Sequence, residues 1–220
     1  MPRSTSQSSA GLLSGGTARA RGRRRAGLLE DLDTAYRRDP ALREGSRLQA
    51  LLYPGVQALA LHRVSHRLWR GGHAVSARAL SQLARALTGI EIHPGAQIGR
   101  RCFIDHGAGV VIGETAVIGD DVTMYHGVTL GGRGWWRDPK GSSRHPSIGD
   151  GVTLGAGATV IGPVRIGDRA RIGPLALVLA DVPAGAHVRA PVAEVHAPRP
   201  ADPPRALPGE HAPLTNGEAR

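Results

Sequence analysis

The chain has 220 residues, a formal net charge of +10 and a single cysteine, and aromatic residues make up 3% of it. One cysteine excludes an internal disulfide framework and fits a reducing, cytoplasmic compartment. The sequence has no run of about 18 apolar residues, so it predicts no membrane-spanning helix. The length allows one large domain or two small ones.

Residues 1–26 are rich in Ser, Gly and Arg and lack apolar periodicity, so we expect a disordered tail. Six arginines in this tail supply much of the positive charge. Codon bias in a GC-rich genome is the plainest explanation, while a nucleic-acid patch and an Arg- and Ser-rich transit peptide stay open. We therefore expect no nucleic-acid partner from the charge alone.

Residues 27–89 have a helical period, in which apolar side chains recur every four positions. Turn signals at Asp39-Pro40, Tyr53-Pro54-Gly55 and Gly71-Gly72 separate three predicted helices, and Gly89 is the expected C-cap of the third. These helices are too short to form a core alone, so they must pack across subunits or on the end of the next domain. Their apolar faces are marked by Leu28, Leu32 and Tyr36, by Val56, Ala60, Val64 and Leu68, and by Val75, Ala79, Leu83 and Leu87.

Residues 90–195 repeat an aliphatic residue every six positions, with a slip of two positions after the third repeat and a long interruption after the seventh. A period of six matches neither a helix nor a strand and is typical of a stacked solenoid. Three hexads make one coil, so we expect side chains three hexads apart to stack. Residues 196–220 are rich in proline and predict a second disordered tail. The repeat positions are Ile92, Ile98, Ile104, Ile112, Ile118, Met124, Leu130, Ile148, Leu154, Val160, Ile166, Ile172 and Val178.

His106 is the first candidate for chemistry in the solenoid. Glu91 precedes it by a little under one coil, so its carboxylate can reach the imidazole from the adjacent turn. A histidine held by an acid is a base with a fixed tautomer. Asp105 should point to the opposite side and serve a ligand or a neighbouring site. His126 should stack one coil along, where we expect a partly buried histidine bonded to coil backbone.

The stretch 131–147 interrupts the hexads and carries Arg144-His145-Pro146. A loop pushed out of a rigid solenoid is where ligands are usually bound. An arginine next to a histidine offers a carboxylate clamp and a second proton-active group. Trp135-Trp136 in the same loop could stack on a ligand or seal a subunit interface, and we favour the interface. Cys102, at a coil position, is interpreted as a small interior filler.

At these residues the chain resembles the serine acetyltransferases, hexapeptide-repeat enzymes that make O-acetylserine for cysteine synthesis. The hexads alone would indicate only the wider class of solenoid acyltransferases, whereas an Asp-His pair, a following Gly-Glu-Thr and a later Arg-His-Pro are much more specific. The resemblance implies an N-terminal α-helical domain and a left-handed parallel β-helix, assembled as a homotrimer or as a dimer of trimers joined through the helices. The resembling stretches are residues 38–41, 89–96, 104–107, 109–116, 127–132 and 144–146.

The implied reaction transfers the acetyl group of acetyl-CoA to the hydroxyl of L-serine, giving O-acetyl-L-serine and CoA, the first step of cysteine biosynthesis. Acetyl-CoA is the implied co-substrate, lying along a groove between two subunits, and no metal is implied. By this resemblance His106 is the general base, Glu91 orients it and His145 assists. The ammonium of serine is held by Asp39 and Asp105, and its carboxylate by Arg144. The residues implied to contact acetyl-CoA are Gly131, Gly132, Ala156 and Gly173.

The resemblance also implies feedback inhibition by L-cysteine, which has the ammonium and carboxylate of serine and differs from it at one atom. Family members that dock into the sulfhydrylase insert a C-terminal isoleucine, whereas this sequence ends in Arg220, so we do not expect that complex. The sequence departs from the family at His126, in the length of the 132–143 loop and over residues 188–195.

Three other interpretations stay open. A related solenoid acyltransferase could act on a sugar or antibiotic hydroxyl, but it would not need groups for both charged ends of an amino acid. A zinc enzyme of the γ-carbonic anhydrase type could use His106, His126 and His145, although that class has two ligands five positions apart and this sequence has no such pair. A scaffold that has lost activity would not need to keep Glu91.

Overall fold

The computed structural model of the chain describes residues 27–42, 47–134, 139 and 141–194. The described part begins with helices α1 (Leu28–Arg38), α2 (Pro54–Arg70) and α3 (Ala74–Thr88), with two 3-10 segments, Pro40–Leu42 and Arg47–Leu52, between α1 and α2. Gly89 caps α3 as predicted, with φ of 70° and its N–H donating to the Arg85 carbonyl. None of these described helices is long and apolar enough to cross a membrane. The predictions for both tails and for Trp135-Trp136 lie outside the described residues.

After Gly89 the described residues form fourteen short parallel strands in three sheets. The first sheet has the order β1-β4-β7-β10-β13, the second β11-β8-β5-β2 and the third β14-β12-β9-β6-β3, so the chain visits the three sheets in turn. This is the parallel β-helix that the hexads predict. The strands β1 to β14 are Glu91–Ile92, Gln97–Ile98, Phe103–Ile104, Val111–Ile112, Val117–Ile118, Thr123–Met124, Thr129–Gly131, Ser147–Ile148, Thr153–Leu154, Thr159–Ile161, Arg165–Ile166, Arg171–Ile172, Leu177–Val178 and His187–Val188.

The aliphatic repeat residues fill the interior of the solenoid. Met124, Leu130 and Leu154 are fully buried, and of the thirteen repeat positions only Ile98 is partly exposed. Val160 and Val178, which are three hexads apart, are partners in register. Ile118 and Ile148 are also partners, although five hexads separate them, so the excursion between β7 and β8 adds the length of two hexads and leaves the stacking unchanged.

The two-position slip is a widened turn between β3 and β4. Ile104 and Met124 are partners in register across a coil that is two positions longer than the three hexads between Val160 and Val178. The turn contains His106 with φ of 57° and Gly107 with φ of 39°. A non-glycine residue in this left-handed region is held there at a cost, and it changes the direction in which its side chain leaves the chain.

The helices bury a different stripe from the one their apolar pattern predicts. On α3 the buried side is made of small or polar residues, while Val75, Leu83 and Leu87 are exposed by 84%, 52% and 66%. On α2 the predicted face is split, since Val56 is buried but Val64 is exposed. Packing on the end of the solenoid therefore does not cover these apolar residues, and packing across subunits stays a prediction for them. The buried residues of α3 are Ala77, Ser81, Ala84 and Thr88.

Ion pairs attach the helices to the first coil. Arg63 of α2 donates to both carboxylate oxygens of Asp31 in α1, at 2.7 and 2.9 Å, and to the Gly99 carbonyl at 3.3 Å. The Asp31 side chain is fully buried. Arg100 of the coil binds Glu30, and this hydrogen bond lowers the pKa of the Glu30 carboxyl. The junction thus depends on charged contacts as well as on apolar packing.

Cys102 is buried in the first coil, where burial raises the pKa of its thiol to about 12. The prediction of an interior filler is confirmed. Residues 191–194, which belong to a unit separate from the solenoid, contain no helix or strand.

Candidate active site at two edges of the solenoid

The candidate residues lie on two edges of the triangular solenoid. We call the turns from the third sheet to the first the histidine edge, which carries His106, and the turns from the first sheet to the second the arginine edge, which carries Arg144. Along the histidine edge, Gly127 N–H donates to the Ala108 carbonyl and Gly157 N–H to that of His126. His126 therefore stacks one coil beyond His106, as predicted. Its side chain is exposed, so the prediction of a partly buried histidine is wrong.

His106 projects from the histidine edge with 79% of its side chain exposed. Its Nε2 lies 3.8 Å from Oδ1 of Asp105, which is too long for a hydrogen bond but close enough for charge attraction. The prediction that the two side chains point apart is therefore wrong. The positive φ of His106 is the reason, because it breaks the alternation of an extended chain.

Glu91 is partly exposed at the start of β1. Its Oε2 lies 3.4 Å from Nε of Arg85 at the end of α3, and no hydrogen bond to His106 is present among the described residues. Ile90 beside it packs under the turn that carries His106, since a Cβ on Gly107 would fall 2.3 Å from Ile90 Cδ1. An orienting role for Glu91 stays a prediction.

Asp39 is linked to Asp105 through Tyr53, a residue that the sequence did not single out as functional. The Tyr53 hydroxyl hydrogen-bonds to Asp39, and this bond, burial and the charges of Asp39 and Asp105 raise the pKa of Tyr53 to about 12. Oδ1 of Asp39 also accepts the Ala41 N–H at 2.8 Å. Tyr53 thus links Asp39 to Asp105, whose carboxylate lies beside the exposed imidazole of His106.

A close approach of α2 to β3 sets the position of Tyr53. Tyr53 is the N-cap residue of α2, and a Cβ on Gly55 would lie 2.2 Å from the Ile104 carbonyl oxygen. Only glycine permits this contact, which holds the start of α2 next to the end of β3. The sequence indicated only a chain break at Tyr53-Pro54-Gly55, so Tyr53 itself had no functional signal.

The arginine edge brings Arg144 and His145 together with the preceding coil. Nη2 of Arg144 donates to Oε2 of Glu114 at 2.5 Å, and His145 is buried, with 8% exposed. The Thr115 hydroxyl lies 2.8 Å from Nδ1 of His145. Glu114 and Thr115 belong to the Gly-Glu-Thr stretch, which supported the family resemblance without receiving a role of its own.

His93 lies next to this group on the first coil. Its Nδ1 accepts the Gly95 N–H at 3.0 Å, and its ring meets Trp69 edge-on with centroids 5.1 Å apart. Burial, and then the charge of Arg78, lower the pKa of His93 to about 4. His93 is therefore neutral at physiological pH, and its ring packs beside the arginine edge.

The residues predicted to contact acetyl-CoA divide between the same two edges. Gly131 and Gly132 belong to the arginine edge, where a Cβ on Gly132 would lie 3.7 Å from the Arg144 side chain. The Ala156 carbonyl accepts the Leu175 N–H on the histidine edge, and Gly173 directly follows β12 on the same edge. Within one chain, the first sheet separates the two sets of predicted residues. The described residues contain no group of three or more His, Cys, Asp or Glu side chains that could hold a metal ion.

Comparison with known proteins identifies the family. The bacterial transferase hexapeptide (six repeats) model matches residues 145–180. A curated serine acetyltransferase of Helicobacter pylori strain J99 is 55% identical over 154 residues, covering 70% of this chain and 87% of that protein. The chain belongs to the serine acetyltransferase family. It is accordingly an acyltransferase with the left-handed parallel β-helix of that family.

Solved serine acetyltransferases share this fold. One from Neisseria gonorrhoeae in complex with serine is 41% identical, with a TM-score of 0.68 over 76% of this chain and 67% of that one. One from Brucella abortus in complex with coenzyme A is 37% identical, with a TM-score of 0.66 over 71% and 61% of the two chains. Isoform 3 from Entamoeba histolytica, in complex with cysteine, is 36% identical, with a TM-score of 0.70 over 79% and 60%. This chain thus spans less than two thirds of two of these three solved chains.

Proposed function

We propose that this serine acetyltransferase moves the acetyl group of acetyl-CoA to the hydroxyl of L-serine by direct attack, with His106 as general base. The product is O-acetyl-L-serine, and the reaction is the first step of cysteine biosynthesis. The observation that carries the proposal is the exposed imidazole of His106, which lies beside the carboxylate of Asp105. Tyr53 interacts with both Asp105 and Asp39 and so links the second carboxylate to this group. Family membership supports the reaction class, and the serine and coenzyme A complexes of relatives support the two substrates.

An amino acid requires groups for both of its charged ends. Asp39 and Asp105 would hold the ammonium of serine on the histidine edge, since Asp105 lies beside His106 and Tyr53 interacts with both carboxylates. Arg144 would hold the serine carboxylate. Its guanidinium has five N–H donors, and the contact with Glu114 uses one Nη2 donor, which leaves others for a ligand.

The division of these residues between two edges supports a site shared by two subunits. In a homotrimer of prisms, the histidine edge of one subunit would meet the arginine edge of the next, and serine would bridge them. Acetyl-CoA would lie along the same contact and touch the glycines of one edge and the Ala156–Gly173 column of the other. The outward apolar face of α3 supports pairing of two such trimers.

The chemical step needs one base and no enzyme nucleophile. His106 removes the hydroxyl proton of serine as the oxygen attacks the thioester carbonyl carbon, giving a tetrahedral oxyanion that backbone N–H groups can stabilise. Collapse of this intermediate breaks the C–S bond, and the proton on His106 passes to the departing CoA sulfur. A positioned base of this kind contributes roughly 10²–10⁴-fold. Glu91 would orient the imidazole after exchanging its contact with Arg85.

L-Cysteine would compete at the serine site, because its ammonium and carboxylate match those of serine. The cysteine complex of the Entamoeba relative supports this form of inhibition. Asp39, Asp105 and Arg144 recognise only the two charged ends, so the replacement of oxygen by sulfur leaves these contacts in place.

Thiol release from acetyl-CoA, followed with DTNB, tests the reaction. We expect release to depend on L-serine, with D-serine and L-homoserine as controls for geometry. Inhibition by L-cysteine, whose own thiol reacts with DTNB, is followed instead by the loss of the thioester absorbance of acetyl-CoA. Since Cys102 is buried, the native enzyme adds no thiol signal of its own. A folded oligomer that releases no thiol with L-serine would refute the proposed acceptor.

His106→Ala tests the base, and we expect a loss of roughly 10²–10⁴-fold in kcat. His126→Ala is the matched control, because His126 is an exposed histidine one coil along the same edge. We expect this control to keep most of the wild-type kcat. Equal losses in the two variants, or near-normal turnover in His106→Ala, would assign the base elsewhere.

A further inference from the structure

The Thr115 hydroxyl makes three hydrogen bonds to the Arg144-His145 segment. Its oxygen accepts the backbone N–H of Arg144 at 3.0 Å and that of His145 at 3.2 Å. It also lies 2.8 Å from Nδ1 of the His145 ring. A hydroxyl has one hydrogen and two lone pairs, so all three are used here.

The same ring nitrogen receives a second donor. The backbone N–H of Thr115 points at Nδ1 of His145 with an N···N distance of 3.1 Å. Because an N–H can only donate, Nδ1 must carry a lone pair, and the hydroxyl hydrogen of Thr115 must point to it as well. The proton of the neutral ring therefore resides on Nε2, which makes Nε2 a donor.

Nε2 lies over the backbone of Gly113. A Cβ at this glycine would fall 2.1 Å from Nε2 and 2.0 Å from Cδ2, so the ring edge occupies the place of a side chain. Charged or titratable groups near His145 include Arg144, Glu114 and the neutral His93. The three residues of the Gly-Glu-Thr stretch thus have separate tasks, since Gly113 makes room for the ring, Glu114 holds Arg144 and Thr115 holds His145.

We propose that Thr115 is a positioning residue that locks His145 in its Nε2–H tautomer, so that His145 donates a hydrogen bond to the bound amino acid and does not accept its proton. This inference rests on the proposed function, in which His145 contacts serine. It leaves His106 as the group that removes the hydroxyl proton and gives His145 a role in binding and orientation.

Thr115→Val and Thr115→Ser test the proposal in the full-length enzyme. Valine keeps the shape of threonine and removes the hydroxyl, whereas serine keeps the hydroxyl. Thr153→Val is the control, because Thr153 is another half-buried threonine of the coils and lies on the third sheet, away from the loop. Thermal melting of each variant checks that the solenoid remains folded.

The first readout is the tautomer of His145, measured by two-bond ¹H–¹⁵N correlation on histidine-labelled protein, with the signal assigned by its loss in His145→Gln. We expect wild type and Thr115→Ser to show a protonated Nε2 and an unprotonated Nδ1. Thr115→Val should show a mixture, since only one of the two donors to Nδ1 remains. A wild-type signal from a protonated Nδ1 would overturn the proposal, and this test does not require activity.

The second readout is kinetic. Thr115→Val should lower kcat/KM for L-serine by roughly tenfold or more, because it leaves two partly buried N–H groups without their acceptor. KM for acetyl-CoA should stay within about twofold, and Thr115→Ser should restore serine kinetics. Unchanged serine kinetics in Thr115→Val, or no rescue by serine, would overturn the positioning role. Absence of serine-dependent turnover in wild type would instead refute the proposed function, while the tautomer measurement would still decide the role of Thr115.

Discussion

The solenoid and the helical layer bury their apolar residues in opposite ways. In the solenoid the repeat residues point inward, and nearly all are buried by coils of the same chain. In α3 the apolar residues Leu83 and Leu87 are exposed, and the buried side of the helix consists of small or polar residues. Each coil buries its repeat residues against neighbouring coils, as expected of a repeat protein, whereas α3 has an apolar face that no other described residues of the chain cover.

The junction between these two regions gives the largest expected effect on stability. Asp31→Asn removes the charge that pairs with Arg63 inside the protein, and we expect a loss of about 3–5 kcal/mol because the guanidinium stays buried without its partner. Asp33→Asn is the control, since Asp33 pairs with Arg37 on the surface of the same helix and is worth under about 1 kcal/mol. Urea unfolding measures both, and equal losses would contradict the buried pair.

A cavity in the solenoid core should cost somewhat less. Leu130 is fully buried between coils, so Leu130→Ala should lower the free energy of unfolding by about 2–5 kcal/mol. The urea midpoint at fixed protein concentration reports the change. A loss below about 1 kcal/mol would mean that neighbouring coils collapse into the space and that the interior is looser than its burial indicates.

Acid should weaken the contact between α2 and the first coil. Burial, then the charges of His66 and Arg63, lower the pKa of His62 to about 3, and its Nδ1 has no partner among the described residues. Below about pH 6.5 His62 is protonated in the unfolded chain but stays neutral in the folded chain. The free energy of unfolding therefore falls as the pH drops from about 6.5 towards 3.

The slope from this one group approaches about 1.4 kcal/mol per pH unit within that window. His62→Leu should flatten the dependence of the melting temperature on pH between pH 7 and 5. His93, with its pKa near 4, contributes in the same direction and stays in the variant. An unchanged slope in His62→Leu would show that His62 titrates normally.

The smallest expected effect on unfolding comes from the outward face of α3. Leu83→Ala and Leu87→Ala should each change the unfolding free energy by under about 0.5 kcal/mol at concentrations where trimers do not pair. If this face joins two trimers, the same changes should shift the assembly towards the smaller species in analytical ultracentrifugation. A sedimentation profile identical to wild type would remove α3 from the interface.

The fold could be predicted from the sequence in the solenoid, where the six-residue period alone determines which side chains point inward. A period of six leaves a repeat residue such as Met124 one direction to point, and that direction is inward. The outward face of α3 was not predictable, because a helical period states which residues share a face but not what covers it. The direction of His106 was missed for a local reason, since its positive φ has no sequence signature as clear as that of glycine.

The sequence indicated candidate site residues but not the contacts that they make. His106, Arg144 and His145 stand out because they interrupt or flank the hexads. Tyr53 and Thr115 do not, because ordinary residues acquire their roles only through contacts made in the folded chain. The separation of the two edges was hidden by the long excursion before Arg144, which obscures the count of coils between His106 and His145.

That excursion has a consequence for how such enzymes diversify. The connection from β7 to β8 is two hexads longer than a regular one, yet β8 pairs in register with β5 and β11. The extra length therefore does not change how the neighbouring coils pair. The entropic cost of a longer loop rises only by about 0.6 kcal/mol for each doubling. The part of this connection before Arg144 can therefore change in length during evolution at little cost, because the pairing of the coils does not depend on it.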